Sequence, residues 1–277
     1  MPSLLHEVCI RHLQGLVTTF LTDVASARSG CIGTFAENIL DASSADVKLA
    51  NISDKARRSP DLQFKHQDAP KPGIVIEVAY AEQGRDLEKM ARQYIEGTGG
   101  DCKVVIGVDT PYHYSKSKDW TVSMWRTTFV HKEGIELPFL VATPVMLNKS
   151  FRTKDGSAVN QDCAIDVHLT DFAPDRLCQD VEPVPLQITF PELHKMASKA
   201  LEARNRDMAA ERAWTGGVPH NRAPRTPSPS DELRSDDEMA IRKLEYQVEE
   251  MTRKTDNDFP SPTSSGYPTS PPRGRKN

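Results

Sequence analysis

This sequence is poor in the features that would substitute for a large buried core. Its five cysteines, Cys9, Cys31, Cys102, Cys163 and Cys178, are odd in number, widely spaced and without a CxxC pair. That pattern argues against both a disulfide framework and a structural zinc site. No charge-free run approaches the ~20 residues needed to cross a bilayer, so no membrane span is expected. The N-terminal apolar run is broken by His6, Glu7, Arg11 and His12 and carries no small-residue cleavage pattern, unlike a secretory signal. Together these absences predict an intracellular protein, cytoplasmic or nuclear. An excess of basic charge is missing as well, since the formal net charge is −4. Phosphate neutralisation dominates non-specific affinity for nucleic acid, so any such binding must use a local groove.

At ~150 residues per domain, the length of 277 residues suggests nearly two domains, but composition along the chain reduces that to one. From Gly217 onward lie nine of the twenty prolines and seven serines, too little apolar surface to fold alone. The reading is one α/β domain over 1–214, a disordered linker at 215–235, a short helix or coiled-coil segment at 236–254 and a disordered Pro/Ser-rich tail at 255–277. Within 236–254, Ile241, Leu244, Val248 and Met251 recur at spacings of three and four, flanked by Glu238 with Arg242 and Glu249 with Arg253. Two heptads are too few to stand alone, so this seam implies a protein partner or self-association. Thr226-Pro227, Ser228-Pro229, Ser261-Pro262 and Ser270-Pro271 make the tail phosphorylatable by proline-directed chemistry.

In the N-terminal part, Leu5, Cys9, Leu13, Leu16, Val17, Phe20, Leu21 and Val24 predict a helix over 4–27. The following thirty residues read as short strands or turns, and Ser59 to Phe64 as a strand with Pro60 at its edge, followed by a loop over 65–72. Ile74 to Tyr80 is a β-branched run typical of a strand buried on both faces. An amphipathic helix follows over 82–96, stopped by Gly97, Gly99 and Gly100, and then a second buried strand over 102–108. Strand, helix and strand at this spacing predict a parallel crossover. Further strands at 121–130, 139–146, 163–169 and 186–190 complete one mixed sheet, and Pro191 opens a last helix reaching about residue 212. The predicted class is three-layer α/β/α, with helices on both faces of a mixed central sheet.

Glu77 is the physical anomaly. A carboxylate within an apolar strand costs several kcal/mol to desolvate unless it is paired, hydrogen-bonded or metal-bound. Asp61, at the start of the preceding strand, would reach it if those two strands form a hairpin. Two converging carboxylates repel unless a cation lies between them, and hard oxygen ligands suit Mg²⁺ or Mn²⁺. Such an ion polarises a phosphodiester and activates water. The competing reading is a structural ion pair of Glu77 with Arg85, Lys103 or Arg126. Asp171 reads as a turn or cap, Met90 as a core residue, Trp125-Arg126 as a packing element, and His66 and His113 as solvated loop residues.

Pro60-Asp61, the strand Ile74-Val75-Ile76-Glu77-Val78, the next helix and the strand Val104 to Asp109 resemble, in that order, the PD-(D/E)XK nuclease-like superfamily. The similarity is greatest to restriction-endonuclease-like members whose lysine has migrated to the following helix, because Ala79 stands at the ordinary lysine position. It spans about Ser59 to Val130, roughly a quarter of the chain. The resemblance implies a restriction-endonuclease-like core and a divalent-metal-dependent nuclease acting on DNA or RNA phosphodiesters. Asp61 and Glu77 would then be metal ligands and catalytic residues, with Lys89 as the nearest catalytic lysine. The group's helix pattern, Asp then Lys then Tyr at intervals of four, falls here on Asp86, Met90 and Tyr94, so methionine fills the lysine place. Lys89 is adjacent, turned ~100° away, toward solvent in a regular helix. The alternative function is a catalytically inactive nuclease-fold protein that acts as an interaction module through its phosphorylatable tail and C-terminal helix.

Overall fold

The computed structural model describes residues 3–80, 86–110 and 119–214, all within one unit, Met1–Thr215. The expected linker, C-terminal helix and tail, with their phosphorylation sites, lie outside the described residues, as do Arg85 and His113.

Helix α1 (Leu4–Ala27) begins where the Ser3 hydroxyl accepts the His6 N–H, which satisfies one of the open amides of the first turn. Its apolar stripe of Leu5, Cys9, Leu13, Val17, Leu21 and Val24 is buried along its length. The next segment departs from the expected strands and turns, because Cys31–Glu37 is a short helix, α2. Alternation in that stretch is weak, and burial of Phe35 and Ala36 against the main core decides the conformation instead. Three short strands follow, β1 (Ile39–Asp41), β2 (Val47–Lys48) and β3 (Arg57–Arg58).

The central sheet continues with β4 (Leu62–His66), β5 (Ile74–Tyr80), β6 (Val104–Thr110), β7 (Trp120–Val130) and β8 (Phe139–Arg152). Six strands lie in the order β1-β4-β5-β6-β7-β8. β5 and β6 are parallel and every other neighbouring pair is antiparallel. Helix α3 (Leu87–Gly97) supplies the crossover between the parallel strands, as the strand-helix-strand spacing predicts. His66 is not a solvated loop residue. It ends β4 at 5% exposure, its ring 5.0 Å from that of Phe35.

The expected single sheet is also corrected. β9 (Ala164–His168) and β10 (Pro185–Thr189) pair only with each other, forming a separate antiparallel ribbon. Their short alternating patterns identify strands but carry no information about partners. Helix α4 (Phe190–Ala213) follows β10 directly. Thr189 and Glu192 cap it reciprocally, and Pro191 occupies the first turn.

The sheet separates two apolar layers. Ile74, Ile76, Val78, Val104, Ile106 and Val108 face α1, α2 and α4, while Val75, Ala79 and Val105 face α3. Each layer holds one buried thiol, Cys9 in the first and Cys102 in the second, and burial pushes both thiols up to about 12. No helix among the described residues is long and apolar enough to cross a membrane.

One close crossing ties the sheet to the segment between β9 and β10. Arg126 of β7 donates to both Asp171 oxygens at 2.8 and 3.0 Å and to the Asp166 carbonyl at 2.8 Å. Asp171 also accepts the His168 N–H at 2.7 Å, so it caps the turn over 169–172 as expected. That turn presses on the entry to β5, where a Cβ on Gly73 would lie 2.3 Å from the Asp171 carbonyl oxygen. Backbone on both sides leaves nothing soft to yield. Gly73→Ala should therefore destabilise the protein by about 1–3 kcal/mol. A thermal melt checks this, and an unchanged midpoint would show that the turn does not bear on β5.

Candidate functional site: an acidic pair beside the parallel strands

The β4–β5 register pairs Leu62 with Ile76 and Gln63 with Val75, so one step further Asp61 comes beside Glu77. The hairpin expected from the sequence is thus formed. Asp61 lies just before β4, and its side chain takes over where the ladder stops, accepting the Val78 N–H at Oδ2 over 2.7 Å. Its other oxygen, Oδ1, faces Nε2 of His6 at 3.2 Å. A loop residue therefore joins α1, β4 and β5.

Glu77 lies on the α3 side of β5, between Val75 and Ala79, at 7% exposure. The Tyr94 hydroxyl of α3 donates to its Oε1 over 2.7 Å. On the parallel neighbour the facing residue is Gly107. A Cβ there would meet Leu87 at 3.0 Å and Trp125 at 3.3 Å, so the missing side chain lets the start of α3 settle beside the acid. The Arg58 guanidinium sits 5.9 Å from the Tyr94 ring centre and donates to Gln93.

These surroundings separate the two acids. Burial pushes the Glu77 carboxyl up to about 7; the Tyr94 hydrogen bond and the Arg58 charge oppose this, while the neighbouring Asp61 reinforces it. Burial also works to raise Asp61, but its bonds from His6 and the Val78 N–H outweigh this and hold it below the ordinary value. His6 is raised, chiefly by its hydrogen bond to Asp61, against the opposing effect of burial. Below neutrality the pair therefore retains a proton on Glu77 beside an ionised Asp61.

The other residues named from sequence are placed as follows. Lys89 is exposed on α3, and Met90 is half-buried against the α3-side layer. Asp86 is the exposed N-cap residue of α3. Two cations considered as partners of Glu77 are engaged elsewhere, Lys103 with Asp175 at 2.8 Å and Arg126 with Asp171. Trp125 is buried in the α3-side layer as a packing element. The sequence did not reveal His6 or Arg58. His6 sits beside the apolar stripe of a helix whose pattern says only which face is buried, and Arg58 belongs to a two-residue strand. Tyr94 did carry a signal, four residues beyond Met90 and eight beyond Asp86.

Among the described residues, no group of three or more His, Cys, Asp or Glu side chains is arranged to hold a metal ion. The donors present are two carboxylates, the number with which Mg²⁺ is commonly bound, the rest of its octahedron coming from water and substrate phosphate. The donor type fits such an ion, on condition that Glu77 gives up its proton.

The raised Glu77 has a measurable consequence. Between pH 4.5 and about 7 the unfolded chain has lost this proton while the folded chain keeps it, so stability falls as pH rises across that window. The loss approaches ~1.4 kcal/mol per pH unit at its steepest. Glu77→Gln should remove this slope and stabilise the protein above pH 7, as denaturant unfolding at a series of pH values would show. Parallel profiles for the two proteins would mean that Glu77 ionises normally.

No protein-family model matches the chain, and neither a curated protein nor a solved structure matches it significantly.

Proposed function

We propose that the chain carries a restriction-endonuclease-like α/β/α core whose Asp61–Glu77 pair takes up Mg²⁺ or Mn²⁺ and acts, with impaired catalysis, on the phosphodiesters of DNA or RNA. The observation that carries this reading is the meeting of two carboxylates on adjoining strands, with Val78, His6 and Tyr94 orienting their oxygens. The ordered resemblance from Pro60-Asp61 through Asp109 supports it. A bound ion would polarise the phosphodiester and lower the pKa of an attacking water. His6 and the Val78 N–H keep Asp61 ionised, ready for a cation. Tyr94 fixes the rotamer of Glu77, and burial makes that acid exchange a proton for the ion near neutrality.

Catalysis is impaired because no lysine lies within ion-pair distance of either carboxylate among the described residues. The attacking water lacks the cation that would orient it and offset the charge building on phosphate. The same observation favours a second reading, a catalytically silent version of the fold that serves as an interaction module.

Metal and cleavage experiments on the full chain separate these readings. Mg²⁺ or Mn²⁺ should raise the melting temperature by mass action, and Glu77→Ala should abolish that response. Wild-type protein should cut DNA and RNA slowly at most. Met90→Lys should raise cleavage by placing a cation on the inward side of α3, and Lys89→Ala should be nearly neutral. No melting response to either ion in the wild type would remove the ion site. Efficient wild-type cleavage abolished by Lys89→Ala would make Lys89 catalytic and end the silent-module reading.

A further inference from the structure

β7 and β8 run past the rest of the sheet as a two-stranded ribbon. β6 pairs with β7 only as far as Arg126, whereas β8 continues alongside β7 to Val130. Among the described residues, eight of the twelve exposed large apolar side chains lie in this ribbon and its turn, between Phe129 and Leu147. Leu137 is 75% exposed and Val145 58%. From Leu137 to Asn148 there is no charged residue. Exposed apolar side chains concentrated in one ribbon in this way mark an interaction surface.

β8 also ends the sheet, and no described strand pairs with its outer edge, which is bridged only at its far end, from Arg152 to Ala158. The Thr127 N–H donates to the Lys103 carbonyl just before β6, hence Thr128 turns its backbone groups toward β8 and bonds with Val141. Alternation then points the backbone N–H and C=O of Leu140 and Ala142 outward. Pro144, two residues on, meets that same edge without an N–H, and the register slips beside it. The open ladder is therefore short, spanning 139–143 with Val141 at its centre.

About that centre the strand is self-complementary. Pro138 and Pro144 lie equally far from Val141 in opposite directions, as do Leu137 and Val145, and Ile135 and Leu147. We propose that two copies of this chain associate isologously through β8, antiparallel, with the dyad at Val141. Leu140 of each copy then exchanges both backbone hydrogen bonds with Ala142 of the other, and the prolines end the ladder opposite each other, where neither lacks a partner for an N–H. Phe139 and Val141 gain apolar cover, and Leu137 comes opposite Val145. The two Val141 side chains meet in a non-hydrogen-bonded pair with Cα atoms ~4.5 Å apart. The exposed parts of the six apolar side chains from Ile135 to Leu147 amount to roughly 500 Å² per partner, within the range of small interfaces. Symmetry favours this occupant, since a foreign strand has no reason to match the spacing of the prolines and apolar residues about Val141. The proposal stands apart from the acidic pair and from any association through 236–254.

Sedimentation equilibrium of the full chain should show a dimer. Val141→Lys places two like charges at the dyad and should weaken association by at least about tenfold. Its melting temperature at low concentration should remain that of the wild-type monomer. Val141→Cys under mild oxidation should give a covalent dimer linked between the two introduced cysteines, identified by peptide mass. Val145→Cys should not link to itself but should link to Leu137→Cys in a mixed sample. If Val141→Lys fails to fold, the cross-linking pattern decides the matter. A wild-type chain monomeric up to its solubility limit would overturn the proposal. So would a dimer that ignores Val141→Lys and forms no link through Val141→Cys, and that result would assign association to another segment.

Discussion

A strand buried on both faces cannot leave a polar group to water, and this constraint on β5 governs the centre of the molecule. Its apolar side chains define both core layers, and its one acid must be satisfied from within. The Tyr94 hydroxyl reaches Glu77 from above the sheet, while Asp61 at the adjoining strand start closes the other side and captures the Val78 N–H. Because Asp61 is in turn held by His6, the first helix, the edge of the sheet and the crossover helix all converge on two carboxyl groups. Displacing any one of these elements would leave a buried acid unpaired, which costs more than the bonds themselves are worth.

The same geometry explains why the pair is asymmetric. Asp61 is partly exposed and faces the His6 imidazole and a backbone donor, whereas Glu77 is buried with a neutral phenol. Both acids therefore sit on one site with opposite preferences for a proton. Whether Glu77 holds its proton is thus set by pH rather than by rearrangement of the fold. Arg58, over the Tyr94 ring, opposes that hold on the proton through its charge.

Much of this was legible in the sequence because it is written in local periodicity. The stripes of α1 and α3, the β-branched runs of β5 and β6 and the Pro191 start of α4 each follow from local sequence that any neighbour would respect. The meeting of Asp61 with Glu77 was legible too, because a short hairpin leaves little freedom of register. What periodicity does not encode is partnership over long distance. Periodicity places the β9–β10 ribbon in the main sheet, reads α2 as short strands or turns and His66 as solvated, since in each case contacts made far along the chain decide. His6 escaped for the same reason, as it is more than fifty residues from the acid it holds.

The two buried thiols have a use that follows from where they lie. Cys9 belongs to the layer beneath α1 and α4, and Cys102 to the layer beneath α3, each fully enclosed. A neutral, inaccessible thiol does not react with an alkylating reagent until its surroundings open, and only the thiolate is nucleophilic. The rate at which each residue is alkylated thus reports the opening of one layer independently of the other. The protein carries in its native sequence a pair of clocks, one on either side of the sheet, that distinguish loosening around the acidic pair from loosening of the helical face behind it.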